Sequence, residues 1–217
     1  MLTIYGAPTF NAIKVVYTAE ELGLEYDYVH INLLKRDQKS PEHLARHPLG
    51  KVPAIDIDGK TLFESNSICR FLAVKENSPL YGGDAYQRAV IDQWVDMMAH
   101  HSGRWLGTFY FQEVVIPIMF KRESNQDALT EAIGFLDEQL PVIDKHLSEN
   151  NYFAGDTLTI ADTIAFSYFY THEMTSIDIS KYKNISQWYA GIRKSAAFER
   201  TKTRLDEAHA SLLTVKN

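Results

Sequence analysis

Cysteine is almost missing from this chain: Cys69 is the only one in 217 residues. One thiol excludes an intrachain disulfide and a thiolate zinc cage. Positive charge is in deficit too, with 22 Lys and Arg against 28 Asp and Glu and a net charge of −6. Without a basic face or stripe, a nucleic-acid partner is not expected, because a polyanion needs one. Long apolar runs are missing as well. None approaches the ~20 residues that span a bilayer, so no membrane role is expected. The opening MLTIYGAP lacks a charged n-region and an apolar h-region, and is not expected to act as a signal peptide. A cytoplasmic protein is expected. What the chain does have is core-forming material: 45% of it is apolar and 12% aromatic. That suffices for one large domain or two small ones.

The first 77 residues mix strand and helix signals. Leu2 to Tyr5 alternate as a short strand, Gly6-Ala7-Pro8 break it, and a helix from about Asn11 closes at Gly23. Glu25 to Ile31 read as a second strand, which a crossover helix makes parallel to the first. Asn32 to Gly50 is polar, with a weak helix around Glu42 to Arg46. Asp58-Gly59 between two apolar runs predicts a hairpin, because both turn positions need φ > 0. A helix follows from Ser65 to about Lys75. The order βαβ then ββα predicts an α/β thioredoxin-like domain over 1–77 with a mixed four-stranded sheet. Residues 78–86 form a linker in a Pro/Gly/Ser-rich stretch. Residues 87–217 then read as an all-α bundle, with helices over Tyr86 to Leu106, Ala128 to Leu147 (kinked or broken near Pro141), Thr159 to Tyr170 and Ile185 to Ser195.

Several residue patterns carry chemistry. Pro53 cannot donate to a strand ladder, so it belongs at a strand start, and it holds Val52 extended. Ser65 stands at the N-cap of an apolar-periodic helix, with the Glu64 carboxylate beside an anion-friendly helix start. Capping alone explains the serine; it does not explain the acid. Thr9 and Asn11 stand at another helix start, where either can cap or can donate to an anion. In Leu158-Thr159-Ile160-Ala161-Asp162, Thr159 and Asp162 form a capping box. His100 and His101 are adjacent, do not share a helix face, and have no third ligand in register, so no metal is expected. Cys69, inside a helix, reads as a small buried hydrophobe. The turn around residues 8 to 12 has no cysteine, as a dithiol redox centre would require.

Gly50 to Ala73 (GKVPAIDIDGKTLFESNSICRFLA) resembles the glutathione-binding half of cytosolic glutathione transferases. Tyr5 to Val15 (YGAPTFNAIKV) resembles that family's active-site turn, and Leu158 to Asp162 its helical-domain segment. The turn looks most like bacterial nu-class members, with the phi class second; nu-class relatives often carry arginine where this chain has Val15. The resemblance implies glutathione as co-substrate and a site built residue by residue. Glu64 would take the γ-glutamyl ammonium, and Ser65 with its helix start the α-carboxylate. Val52, ahead of a cis Pro53, would pair with the cysteinyl backbone like an added strand. Gln38, Lys39 and Lys51 would meet the glycyl carboxylate. Thr9 and Asn11 would donate to the sulfur and favour the thiolate, since a free thiol, with a pKa near ~8.5, is mostly protonated at neutral pH. Tyr5 falls inside the strand and reads as packing. Lys14 reads as a solvated helix lysine that adds positive field. Met97, Met98, His101 and Trp105 are the candidates for lining an apolar acceptor site.

These readings give an enzyme that conjugates glutathione to hydrophobic electrophiles. A glutathione-dependent disulfide oxidoreductase is the second reading, and a non-catalytic interaction module of the same fold the third. The broad apolar face of the helix over Tyr86 to Leu106 predicts a homodimer.

Overall fold

A computed structural model describes the backbone over residues 1–214 and side chains as far as residue 208. The chain divides into two compact units, one of Met1–Ser78 with the stretch from Lys194 onward, the other of Pro79–Arg193.

The first unit begins β1 (Leu2–Gly6), α1 (Phe10–Glu21), β2 (Tyr26–His30). It continues through a 3-10 turn at Asp37–Lys39 to α2 (Pro41–Arg46), β3 (Ala54–Ile57), β4 (Lys60–Phe63) and α3 (Ser65–Lys75). The sheet order is β2-β1-β3-β4, with β1 parallel to β2 and antiparallel to β3. This is the mixed four-stranded thioredoxin-like sheet that the element order predicts. Asp58 and Gly59 both take positive φ, of 52° and 77°, as a tight hairpin demands. Ile4 and Ile55 from the sheet, Val16 from α1 and Leu72 from α3 are fully buried in its core.

The second unit is all helical: α4 (Ala85–His100), α5 (Ser102–Tyr110), a π-helix at Phe111–Phe120, α6 (Gln126–Glu149), α7 (Ile160–Phe169) and α8 (Lys183–Arg193). Its core is aromatic. Trp188 meets Phe153, Phe166 and Phe169 edge-on at centroid distances of 5.0, 6.3 and 5.7 Å. The capping box at the start of α7 forms as expected. Buried Asp162 accepts from the Phe153 and Thr159 backbone N–H groups, the Thr159 hydroxyl and the Trp188 indole.

Two expectations are corrected here, and of the kink or break expected near Pro141 only the break is excluded. The helix over Tyr86 to Leu106 is two helices, because His101 leaves helical geometry at φ −121°, ψ −107°. The chain turns so tightly there that a Cβ on Gly103 would collide with the Met98 carbonyl and the Tyr168 ring. α6 runs through Pro141 without a break. Finally, the helical domain does not continue to residue 217, because α9 (Ala196–Thr214) belongs to the first unit. There Phe198 is buried edge-on against Tyr17, and the Arg200 guanidinium binds the Glu20 carboxylate at 2.7 Å and the Glu20 carbonyl at 2.9 Å. An aromatic anchor and a paired charge outweigh continuity along the chain.

Candidate functional site

The starts of α1 and α3 meet in the first unit. Thr9 caps α1 in extended geometry, its hydroxyl oxygen accepting from the Ala12 N–H at 3.4 Å. Its hydroxyl proton is not used by that bond, so capping and donation are compatible. Two residues on, Asn11 Oδ1 accepts from Lys14 Nζ at 2.9 Å and from Ser65 Oγ at 3.5 Å. With the carbonyl oxygen taken, the amide presents its NH2 donors.

Lys14 is the surprise of the site. The solvated lysine expected from sequence is 1% exposed. Every residue from Ala12 to Ala19 is buried, so α1 is enclosed on all sides and its one lysine goes in with them. The apolar neighbours Ala12, Ile13, Val15 and Val16 were the available signal. Burial pushes the ammonium down to about 7, while the nearby Cys69 and Glu64 side chains pull the other way. Cys69 itself is fully buried, donates to the Lys14 carbonyl at 3.4 Å, and has its thiol pushed up to about 11 by burial. It is the inert hydrophobe that the sequence predicts.

The cap of α3 lies one residue earlier than expected. α3 starts at Ser65, so Ser65 is its first helical residue and Glu64 holds the cap position without a side-chain cap bond. Glu64 adopts φ +69°, ψ +106°, in the region that L residues avoid. Such strain costs roughly 1–3 kcal/mol and gathers at sites of function. Here it leaves the carboxylate exposed beside the buried Ser65.

Around the loop, Val52–Pro53 is cis. Lys39 donates to the Leu49 carbonyl at 2.7 Å. Gln38 is half-buried, with its Oε1 lacking a partner, while Lys51 is exposed. Tyr5 lies in β1, with the Arg46 guanidinium 4.1 Å from its ring centroid, in keeping with a packing role. Of the acceptor candidates in the helical unit, Met98 is fully buried and Trp105 is stacked on Phe135 at 4.3 Å, so both belong to its core. Met97 is half-buried and His101 exposed. Among the described residues, no helix is long and apolar enough to cross a membrane.

The chain matches the glutathione S-transferase N-terminal domain over residues 1–74 and the glutathione S-transferase C-terminal domain over 108–196. It is 30% identical to glutathione S-transferase 1 of Zea mays, an alignment covering 92% of this chain and 94% of that protein. The chain belongs to the glutathione S-transferase family. A second family member, glutathione S-transferase F10 of Arabidopsis thaliana, is 32% identical over 94% of this chain and 97% of its own. A solved structure of glutathione S-transferase I from maize, in complex with an atrazine glutathione conjugate, superposes with a TM-score of 0.85 at 29% identity, covering 94% of this chain and 98% of that one. These family members are plant proteins, so the likeness to bacterial nu-class members placed first at the sequence level is corrected. The likeness to the phi class placed second fits them.

Proposed function

We propose that this chain is a phi-class glutathione transferase, whose first unit binds glutathione and holds its sulfur as a thiolate for attack on an apolar electrophile. The observation that carries this reading is the double capture of Asn11 Oδ1 by Lys14 and Ser65, which leaves the amide's NH2 group as what it can offer a ligand at the start of α1. Thr9 adds a hydroxyl proton and α1 its positive end. Together they lower the thiol pKa without any residue acting as a base. The thiolate then bonds to the electrophilic carbon and the leaving group departs with the electron pair. Glu64 pairs with the γ-glutamyl ammonium, and Ser65 with the α-carboxylate at the start of α3. The Val52 backbone, ahead of Pro53, pairs with the cysteinyl residue, and Gln38, Lys39 and Lys51 surround the glycyl carboxylate. Of the acceptor candidates, Met97 and His101 keep accessible atoms.

Two further expectations go with this reading. Reduced glutathione is the thiol pool of the cytosol, which supports a cytoplasmic location. A homodimer is supported by the helix face on which the expectation rested, where Tyr86 is exposed and Val90 and Met97 are only half-buried. The experiment is retention on immobilised glutathione followed by assay of a halo-nitroaromatic beside a small disulfide. Retention with conjugation of the nitroaromatic is expected. Turnover of the disulfide alone would replace this reading with the oxidoreductase, and no retention would leave the interaction module.

A further inference from the structure

Against the loop leading to Val52 lies a buried imidazole that the chemistry above does not use. His43, in α2, is 1% exposed. Its Nε2 lies 2.7 Å from the Lys51 carbonyl oxygen. A carbonyl only accepts, so Nε2 carries the proton and donates. The other ring nitrogen, Nδ1, is buried with no partner. A bare buried acceptor costs stability. An apolar side chain of similar size would fill the space without that cost, so the bond to Lys51 is what the imidazole contributes.

A second grip lies beside it. Lys39 Nζ donates to the Leu49 carbonyl, and the Gly50 N–H to the His47 carbonyl at 2.7 Å. Between the two gripped carbonyls, Gly50 takes φ +56°, and a Cβ there would collide with the Gln38 carbonyl. The return segment from Leu49 to Lys51 is thus pulled against the 38–43 segment by two side chains, and only glycine allows the approach.

The Lys51 carbonyl and the Val52 N–H belong to one planar peptide and point in opposite directions. Holding the carbonyl towards α2 therefore aims the Val52 N–H away from α2. We propose that His43 is a positioning residue for glutathione, fixing the Lys51–Val52 peptide plane so that the Val52 N–H is set for the cysteinyl backbone before the ligand arrives. The inference rests on the glutathione reading above. Preorganisation of this kind strengthens binding by removing an ordering cost at association.

Two amides that differ in reach test it. Glutamine can bring an N–H to about the place of Nε2, and asparagine falls short. Calorimetry with glutathione should give about tenfold weaker binding for His43→Asn and within about threefold of the unaltered protein for His43→Gln. Turnover of a halo-nitroaromatic at saturating glutathione should stay within about twofold for both, separating KM from kcat. Unchanged binding in His43→Asn, or equal weakening in both variants, overturns the role. Nitrogen NMR on the unaltered protein supplies a reading that needs no variant: a proton on Nε2 is expected, and one on Nδ1 overturns the proposal. If the unaltered protein binds no glutathione, the functional reading falls and takes this one with it; if it binds and the variants disagree with expectation, only this one falls.

Discussion

Lys14 Nζ stands 2.9 Å from Asn11 Oδ1, inside a helix whose neighbouring residues are all buried. The contact joins two matters that are usually separate. It orients the amide proposed above to donate to the sulfur, and it is made by an amine that is itself buried. The same ammonium therefore governs activity and stability in opposite directions, which makes it the most informative residue to change.

Lys14→Met should lower turnover at neutral pH and raise stability there. The folded-state pKa of about 7 lies below the unfolded value of 10.5, so between those limits the unfolded chain binds more protons. Stability then rises with pH across that window, and the penalty is complete below about 7. At about 1.4 kcal/mol per unit, the gain from Lys14→Met should be several kcal/mol at pH 6 and fade towards pH 10. Urea unfolding from pH 6 to 9 checks the slope, and a gain that does not shrink with pH would refute it.

Thr9→Ala and Asn11→Ala should each raise the pKa of the bound thiol, lowering the rate at neutral pH and recovering much of it at high pH. Each unit is ~1.4 kcal/mol of lost thiolate stabilisation. Affinity for glutathione should change far less than turnover, and the double mutant should be worse than either single one. Ultraviolet absorbance of the bound thiolate against pH is the measurement. If Tyr5→Phe moves that titration while the other two do not, a tyrosine mechanism replaces this one.

Glu64→Ala and Ser65→Ala should each weaken glutathione binding, Glu64→Ala by roughly 1.5–3 kcal/mol, as for a lost charged hydrogen bond. Glu64→Gly adds a sharper contrast. Glycine accepts φ +69° freely, so stability should rise by about 1 kcal/mol while binding falls as in the alanine variant. Calorimetry and thermal unfolding on the same samples decide. A glycine variant that binds normally would remove Glu64 from the site.

Asp162→Ala should be among the most damaging changes outside the site. Four donors converge on this carboxylate in the interior of the helical unit, and truncation orphans all of them. A loss of about 3 kcal/mol or more is expected, since each buried donor left without a partner costs about 1–3 kcal/mol. Denaturant unfolding followed through tryptophan fluorescence reads it directly, since Trp188 is one of the four partners.

Light scattering tests the association. A homodimer at micromolar concentration should give twice the 24.8 kDa of the chain. Monomer mass at that concentration counts against it.

Short-range patterns in the sequence determined a good deal. Alternation and turn chemistry set β1, the Asp58-Gly59 hairpin and the order of elements, because each depends on a few adjacent residues. The capping box of Thr159 and Asp162 was equally legible, since both partners lie within one helical turn. The Glu64-Ser65 pair was visible as a motif, and so was the Thr9/Asn11 turn. Tertiary structure decided what each of these does. Whether Lys14 is solvated or buried depends on what packs across α1, not on α1 itself. Which end of the Asn11 amide is left for a ligand depends on Lys14 and on Ser65, 54 residues away. The strained backbone of Glu64, the His43 grip on Lys51, the break at His101 and the return of α9 to the first unit have the same origin. Each balances a local preference against contacts made by distant parts of the chain, and a linear pattern records only the first side of that balance.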